Sequence, residues 1–168
     1  MLILGVDPGL IVTGYGVIEA DQVGRVSLRE GGVVRAAPKL SLEGRLRQIH
    51  EGIREVLAEH RPEVVAVEDL YSKYEHPKTA ILMGHARGVV YLAAGQLDVP
   101  VVGYTAATVK KALTGSGRAS KTQVQAMVQR VLGLEEPPHP DHVADALALA
   151  LCHANAARPL PAGMALRR

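Results

Sequence analysis

Two short apolar stretches constrain the fold of this chain more than any other feature. Leu2-Ile3-Leu4-Gly5-Val6 runs directly into Asp7, and Val64-Val65-Ala66-Val67 runs directly into Glu68. Continuous apolar runs of four or five residues bounded by turn residues mark strands buried on both faces. Such strands belong to layered α/β architectures, in which helices cover a sheet. Each acid then stands at the mouth of the sheet on a rigid element. An Asp ahead of Pro-Gly commonly caps a turn, so the meaning of Asp7 depends on whether other acids converge on it.

The rest of the chain supplies the layers. Pro8-Gly9 breaks the first run, and residues 13–18 resume as a second strand, which makes a hairpin. Gly9, Gly14 and Gly16 leave room for something to approach the backbone beside Asp7. Alternation over Val26–Arg35 predicts a third strand, turned at Gly31-Gly32. Leu42, Leu46, Ile49, Ile53, Val56 and Leu57 fall on one face of a helix over 42–59, which Arg61-Pro62 ends. After Glu68, residues 69–77 form a polar connection. A helix over 79–97 follows, whose Gly84, Gly88 and Gly95 predict close packing against another element. A strand at 101–104, a helix at 106–113 and a glycine-containing loop at 114–119 come next. Ser120, with Gln123 three residues on, caps a helix to Leu132. A proline-rich linker leads to a last helix over 141–157. The order β-β-β-α-β-α-β-α-α-α predicts an α/β protein with a mixed sheet in one domain, 1–157, followed by a flexible basic tail, 158–168.

Charge adds a polyanion to the expected partners. The net charge is only +2, yet residues 99–134 hold no acid against Lys110, Lys111, Arg118, Lys121 and Arg130. The glycines flanking Ser116, followed by Arg118 and Lys121, predict a loop facing phosphate. No apolar run approaches a membrane span, and the N-terminus resembles no signal peptide. The single cysteine, Cys152, reads as a buried apolar residue. A cytoplasmic protein without membrane contact is the expectation.

The last helix opens Asp141-His142-Val143-Ala144-Asp145, placing both Asp141 and His142 on a face with Asp145. Helix-dipole complementarity accounts for Asp141. Asp145 sits among Ala144, Ala146 and Leu147, where a carboxylate needs a partner to offset its desolvation. If Asp7, Glu68 and Asp145 meet, the natural partner is a divalent cation, Mg²⁺ or Mn²⁺. Two such ions ~4 Å apart suit an in-line attack at phosphorus.

These residues carry a resemblance. Gly5-Val6-Asp7-Pro8-Gly9 with Thr13-Gly14-Tyr15-Gly16, Val67-Glu68, Gly84-His85-Ala86-Arg87-Gly88 and Ala144-Asp145-Ala146-Leu147-Ala148, in that order, are similar to the RuvC family of crossover junction endodeoxyribonucleases. These are Holliday junction resolvases of the ribonuclease H-like superfamily, and the similarity spans Leu2 to about Ala157. It implies a three-layer ribonuclease H-like fold, a five-stranded mixed sheet flanked by helices. It also implies paired symmetric nicks in four-way DNA junctions during recombination and repair, leaving 5′-phosphate and 3′-hydroxyl ends. Asp7, Glu68 and Asp145 match the family's metal ligands, and His142 holds the position where the family often has Asp, with Asp141 as a competing ligand. Two Mg²⁺ per subunit are implied, with Mn²⁺ as a substitute. Tyr71 matches an aromatic that wedges at the junction centre. Lys110 and Lys121 match basic residues near the scissile phosphate, Lys121 with a catalytic part. Lys73, Lys111 and Arg118 are expected as further DNA contacts. A homodimer is implied, with the 79–97 helix as its contact, working beside the branch-migration motor proteins RuvA and RuvB. The rival readings are a ribonuclease H-like nuclease acting on RNA or other branched substrates, a non-catalytic junction-binding protein, and an ATP-dependent phosphotransferase. The last needs a second nucleotide-binding lobe for which 168 residues leave little space.

Overall fold

Strand β1 (Leu2–Asp7) lies at the middle of a five-stranded sheet, in a computed structural model that describes residues 1–69 and 77–157. β2 (Val12–Ala20) and β3 (Val26–Arg35) extend the sheet on one side as an antiparallel meander. β4 (Val64–Glu68) and β5 (Val101–Tyr104) extend it on the other side in parallel, giving the order β3-β2-β1-β4-β5. The helices are α1 (Leu42–His60), α2 (Pro77–Gly95), α3 (Ala106–Thr114), α4 (Lys121–Leu132) and α5 (Asp141–Ala156). This is the α/β arrangement with a mixed sheet expected from the element order, and the three-layer, ribonuclease H-like fold that the resemblance implies.

The two-residue period of β1 sorts the layers. Leu4 and Val6 join Ile49, Ile53 and Leu57 of α1 and Ala86, Val90 and Ala93 of α2 in one core. Ile3, with Val64 and Ala66, faces the other core, built from α5 together with Val109 and Leu113 of α3 and Val124 and Val128 of α4. The parity that turns Ile3 and Gly5 toward α5 turns Asp7 there too, and likewise Glu68 after Val64 and Ala66.

α5 is almost wholly apolar from Val143 to Ala154 because it lies flat across β1 and β2. The approach is close: a Cβ on Gly5 would run into the carbonyl of Ala146, and one on Gly14 into the carbonyl of His142. The glycines beside Asp7 therefore admit the last helix. Ser120 caps α4 in a full capping box with Gln123, as its spacing predicts.

Two local expectations need correction. Gly31-Gly32 makes no turn, and β3 passes straight through it. The missing side chains instead make room for the Tyr15 ring over Gly32 and the Val143 side chain over Gly31. The irregularity of β3 lies two residues earlier, where the register slips between Val17 and Ile18. Among the described residues Gly88 and Gly95 pack against nothing: a Cβ on either would meet none of them within 4 Å, and both are exposed. Tyr71, Lys73 and the 158–168 tail lie outside the described residues. Among the described residues no helix is long and apolar enough to cross a membrane.

Candidate active site

β1 and β4 run parallel with Val6 beside Val67, so Asp7 and Glu68 leave adjacent strands at the same edge of the sheet. The carboxyl ends of parallel strands are where open α/β sheets bind ligands. Asp7 is among the few buried polar residues, 9% exposed. Its turn is knotted by the fully buried Thr13, whose hydroxyl donates to the Gly9 carbonyl at 2.8 Å and accepts from the Gly9 amide at 3.2 Å.

The first turn of α5 crosses this edge. His142 Nδ1 lies 2.8 Å from Asp7 Oδ2. An ionised carboxylate can only accept, so Nδ1–H donates to it. One turn on, Asp145 pairs with Lys121 Nζ at 2.9 Å, and Asp141 meets the same ammonium at 3.3 Å. Asp141, well exposed, therefore faces α4, while His142 faces Asp7. Lys121 is the first residue of α4, set in place by the Ser120 cap.

Glu68, Lys110, Lys121 and Asp145 line a cleft of about 220 Å³ whose floor includes Val109, Val124 and Leu149. Lys110 and Lys121 thus share a cleft with two of the acids. Lys111 and Arg118 are exposed beyond its walls, and Arg118 follows the tight turn that Thr114 and Ser116 tie together.

The acids repel one another. Burial pushes the Glu68 carboxyl up to about 7, and the charges of Asp7 and Asp145 add to the rise against Lys110 and Lys121. Burial also raises Asp7, opposed by its hydrogen bond from His142. The bond to Asp145 holds the Lys121 ammonium above its usual range, and Lys121 in turn lowers Asp141. Three carboxylates and an imidazole converging on one edge, with repulsion only partly offset by two lysines, form a hard donor set that fits a divalent cation. No three of these ligand atoms lie within 4.8 Å of one another. Among the described residues the only trio of potential ligand atoms within 4.8 Å is Glu30, Glu59 and His60. Within that trio Glu30 already accepts from the Tyr15 hydroxyl at 2.5 Å and lies 2.8 Å from His60 Nε2.

Sequence reasoning missed one group at the site. Asp69, next to Glu68, pairs with Arg87 of α2 at 2.6 Å. The motif around Arg87 stood out in the sequence, but its partner lies 18 residues away and no local spacing links them.

A family model described as crossover junction endodeoxyribonuclease RuvC matches residues 3–153. A curated relative of that name from Rhodopirellula baltica is 49% identical over 97% of this chain and 92% of its own length. Another from Pelotomaculum thermopropionicum is 48% identical over 92% of this chain and 93% of its own. Among solved structures, T. thermophilus RuvC in complex with a Holliday junction substrate superposes with a TM-score of 0.89 at 42% identity, covering 94% of this chain and 95% of that one.

Proposed function

The chain belongs to the crossover junction endodeoxyribonuclease RuvC family, nucleases that resolve Holliday junctions, and from that premise we propose that Asp7, Glu68, His142 and Asp145 form its metal-binding catalytic centre. Nucleases of this family are metal-dependent. Mg²⁺ is the ion proposed here, two per subunit, with Mn²⁺ able to replace it. One observation carries the reading. Asp7 and Glu68 end neighbouring parallel strands on the face where α5 lies, and α5 brings His142 to Asp7 and Asp145 to the cleft that Glu68 lines.

When bound, the divalent ions supply Lewis acidity for hydrolysis of a phosphodiester, leaving a 5′-phosphate and a 3′-hydroxyl. The chain's own groups do the rest. His142 donates through Nδ1 to Asp7, which fixes the carboxylate and leaves Nε2 directed elsewhere as a donor atom. Lys121 pairs with both Asp141 and Asp145, and its ammonium, in the same cleft as Lys110, is the group assigned to contact the scissile phosphate. Lys111 and Arg118, exposed on α3 and the following loop, extend a positive track for the phosphate backbone, and Tyr71 and Lys73 are assigned as further DNA contacts on the family resemblance.

A four-way junction has twofold symmetry, and a dimer with one centre per subunit matches it. We assign the contact to α2, which leaves Ile81 (61%) and Leu92 (54%) exposed beside the bare Gly88 and Gly95. Residues 1–157 make up the nuclease domain, acting on DNA in the cytoplasm beside RuvA and RuvB. The test compares a synthetic four-way junction with a linear duplex and an RNA–DNA hybrid, each with Mg²⁺ and Mn²⁺. Paired symmetric nicks in the junction alone are expected; equal cleavage of the hybrid would overturn the substrate assignment.

A further inference from the structure

Glu68 is the last residue of β4. Asp69, the next residue, is held by β5 within the sheet and by Arg87 from the face opposite α5. Side chains alternate along a strand, so Glu68 turns toward α5 and Asp69 toward α2. There Arg87 makes three bonds. Its Nε donates to the Glu68 carbonyl at 3.0 Å, and Nη2 donates to Asp69 Oδ1 and to the Tyr91 hydroxyl, both at 2.6 Å. Its guanidinium also stacks over the Tyr91 ring, 4.5 Å from the centroid. The Asp69 amide donates to the Tyr104 carbonyl at 2.9 Å, anchoring the same residue to β5.

The niche is built for that carboxylate. Gly103 of β5 lies directly beneath it, and a Cβ there would collide with Asp69 Oδ1. Arg87 side-chain exposure is 24%, and it sits on a helix face otherwise made of Ala86, Val90 and Ala93. An arginine there loses hydration and rotamer freedom, and three directed hydrogen bonds plus a stacked ring are what it gains.

We propose that Arg87, seated against Asp69 over Gly103, is a positioning residue that holds the backbone of Glu68 so that its carboxylate faces Asp7 and Asp145. The inference rests on the metal-centre reading given above, and it assigns α2 a part in the chemistry without contact with substrate. Arg87 acts only through Glu68. Its loss therefore weakens metal binding and turnover and leaves junction binding alone.

The experiment uses the full-length protein and three variants, Arg87→Met, Asp69→Asn and Gly103→Ala. Each is measured for Mn²⁺ binding by calorimetry on the free protein, for junction binding without divalent ions, and for kcat and KM. Outer-shell partners of metal ligands typically contribute 10–100-fold in affinity or activity. Arg87→Met is expected to weaken Mn²⁺ binding by about that factor and to lower kcat, with KM and metal-free junction affinity unchanged. Gly103→Ala, which removes no hydrogen-bonding group, is expected to reproduce the loss by displacing Asp69. Asp69→Asn keeps a carbonyl acceptor and is expected to retain part of the wild-type affinity. A double Arg87→Met/Asp69→Asn variant should be no worse than Arg87→Met alone. Wild-type Mn²⁺ affinity and kcat in Arg87→Met overturn the proposal, as does a loss confined to junction binding. If Arg87→Met fails to fold, unchanged metal affinity in both Gly103→Ala and Asp69→Asn overturns it. A wild-type protein that binds no Mn²⁺ instead overturns the metal-centre reading itself.

Discussion

His142 Nδ1 and Asp7 Oδ2 lie 2.8 Å apart although 135 residues separate them in the chain. That contact exists because α5 presses onto β1 and β2 where Gly5 and Gly14 carry no side chain. It brings a ring nitrogen from the last helix to the acid that ends the first strand, and the proposed chemistry depends on that meeting.

Replacing Asp7 by Asn keeps the size of the side chain and removes its charge. Positioning on DNA rests on lysines and arginines, whereas hydrolysis rests on the metal. Junction affinity without divalent ions should stay at the wild-type level, while cleavage should fall by more than the roughly 100-fold upper end seen for outer-shell groups. Gel-shift and single-turnover cleavage assays measure the two separately.

Glu68 links the site to stability. Its carboxyl is raised from an ordinary 4.5 to about 7, first by burial and then by Asp7 and Asp145. Between those values the folded chain binds the proton more tightly than the unfolded chain does. Metal-free stability therefore declines as pH rises through this window, and the deficit is complete above it. Glu68→Gln should thus melt above wild type at pH 8 without metal and level with it near pH 4. Each kcal/mol corresponds to about 2–4 °C at this chain length. Adding Mn²⁺ should raise the melting temperature of wild type and leave that of Glu68→Gln nearly unchanged.

Lys121 bridges Asp141 and Asp145 while facing the cleft. Lys121→Ala should weaken junction binding and flatten the dependence of log affinity on log salt by about 1, the share of one phosphate contact. Titrations across a salt series read that slope directly.

Leu92 is 54% exposed on a helix whose neighbouring glycines touch nothing. Leu92→Glu should shift the protein from dimer to monomer in sedimentation at micromolar concentration, with its melting temperature little changed, because the side chain makes no contribution to the core of one subunit. Paired nicking should then give way to single nicks.

The order of elements was legible because continuous apolar runs mark β1 and β4, one apolar face marks α1, and Ser120 with Gln123 announces its own cap. Asp7 and Glu68 stood out because each ends an apolar run, and the parallel pairing of β1 with β4 sets those two ends side by side. What escaped depends on contacts between distant segments. Gly31-Gly32 has the composition of a turn, yet it serves the Tyr15 ring and Val143, which only the folded sheet brings near. Gly88 and Gly95 suggest close packing by the same composition rule, and among the described residues nothing lies against them. The Arg87–Asp69 pair and the Tyr15–Glu30–His60 chain join residues from different elements, and no spacing rule relates them. Gly14 and Gly16 left a trace in the sequence, but the identity of the approaching element, α5, did not.

The central claim is that one divalent-cation centre sits between the ends of β1 and β4 and the first turn of α5. Anomalous scattering from a crystal grown or soaked with Mn²⁺ tests it most directly. The account predicts manganese peaks bounded by Asp7, Glu68 and Asp145, with His142 in the same shell. Peaks only at Glu30, Glu59 and His60, or an empty site with Glu68 turned away from Asp7, would contradict it.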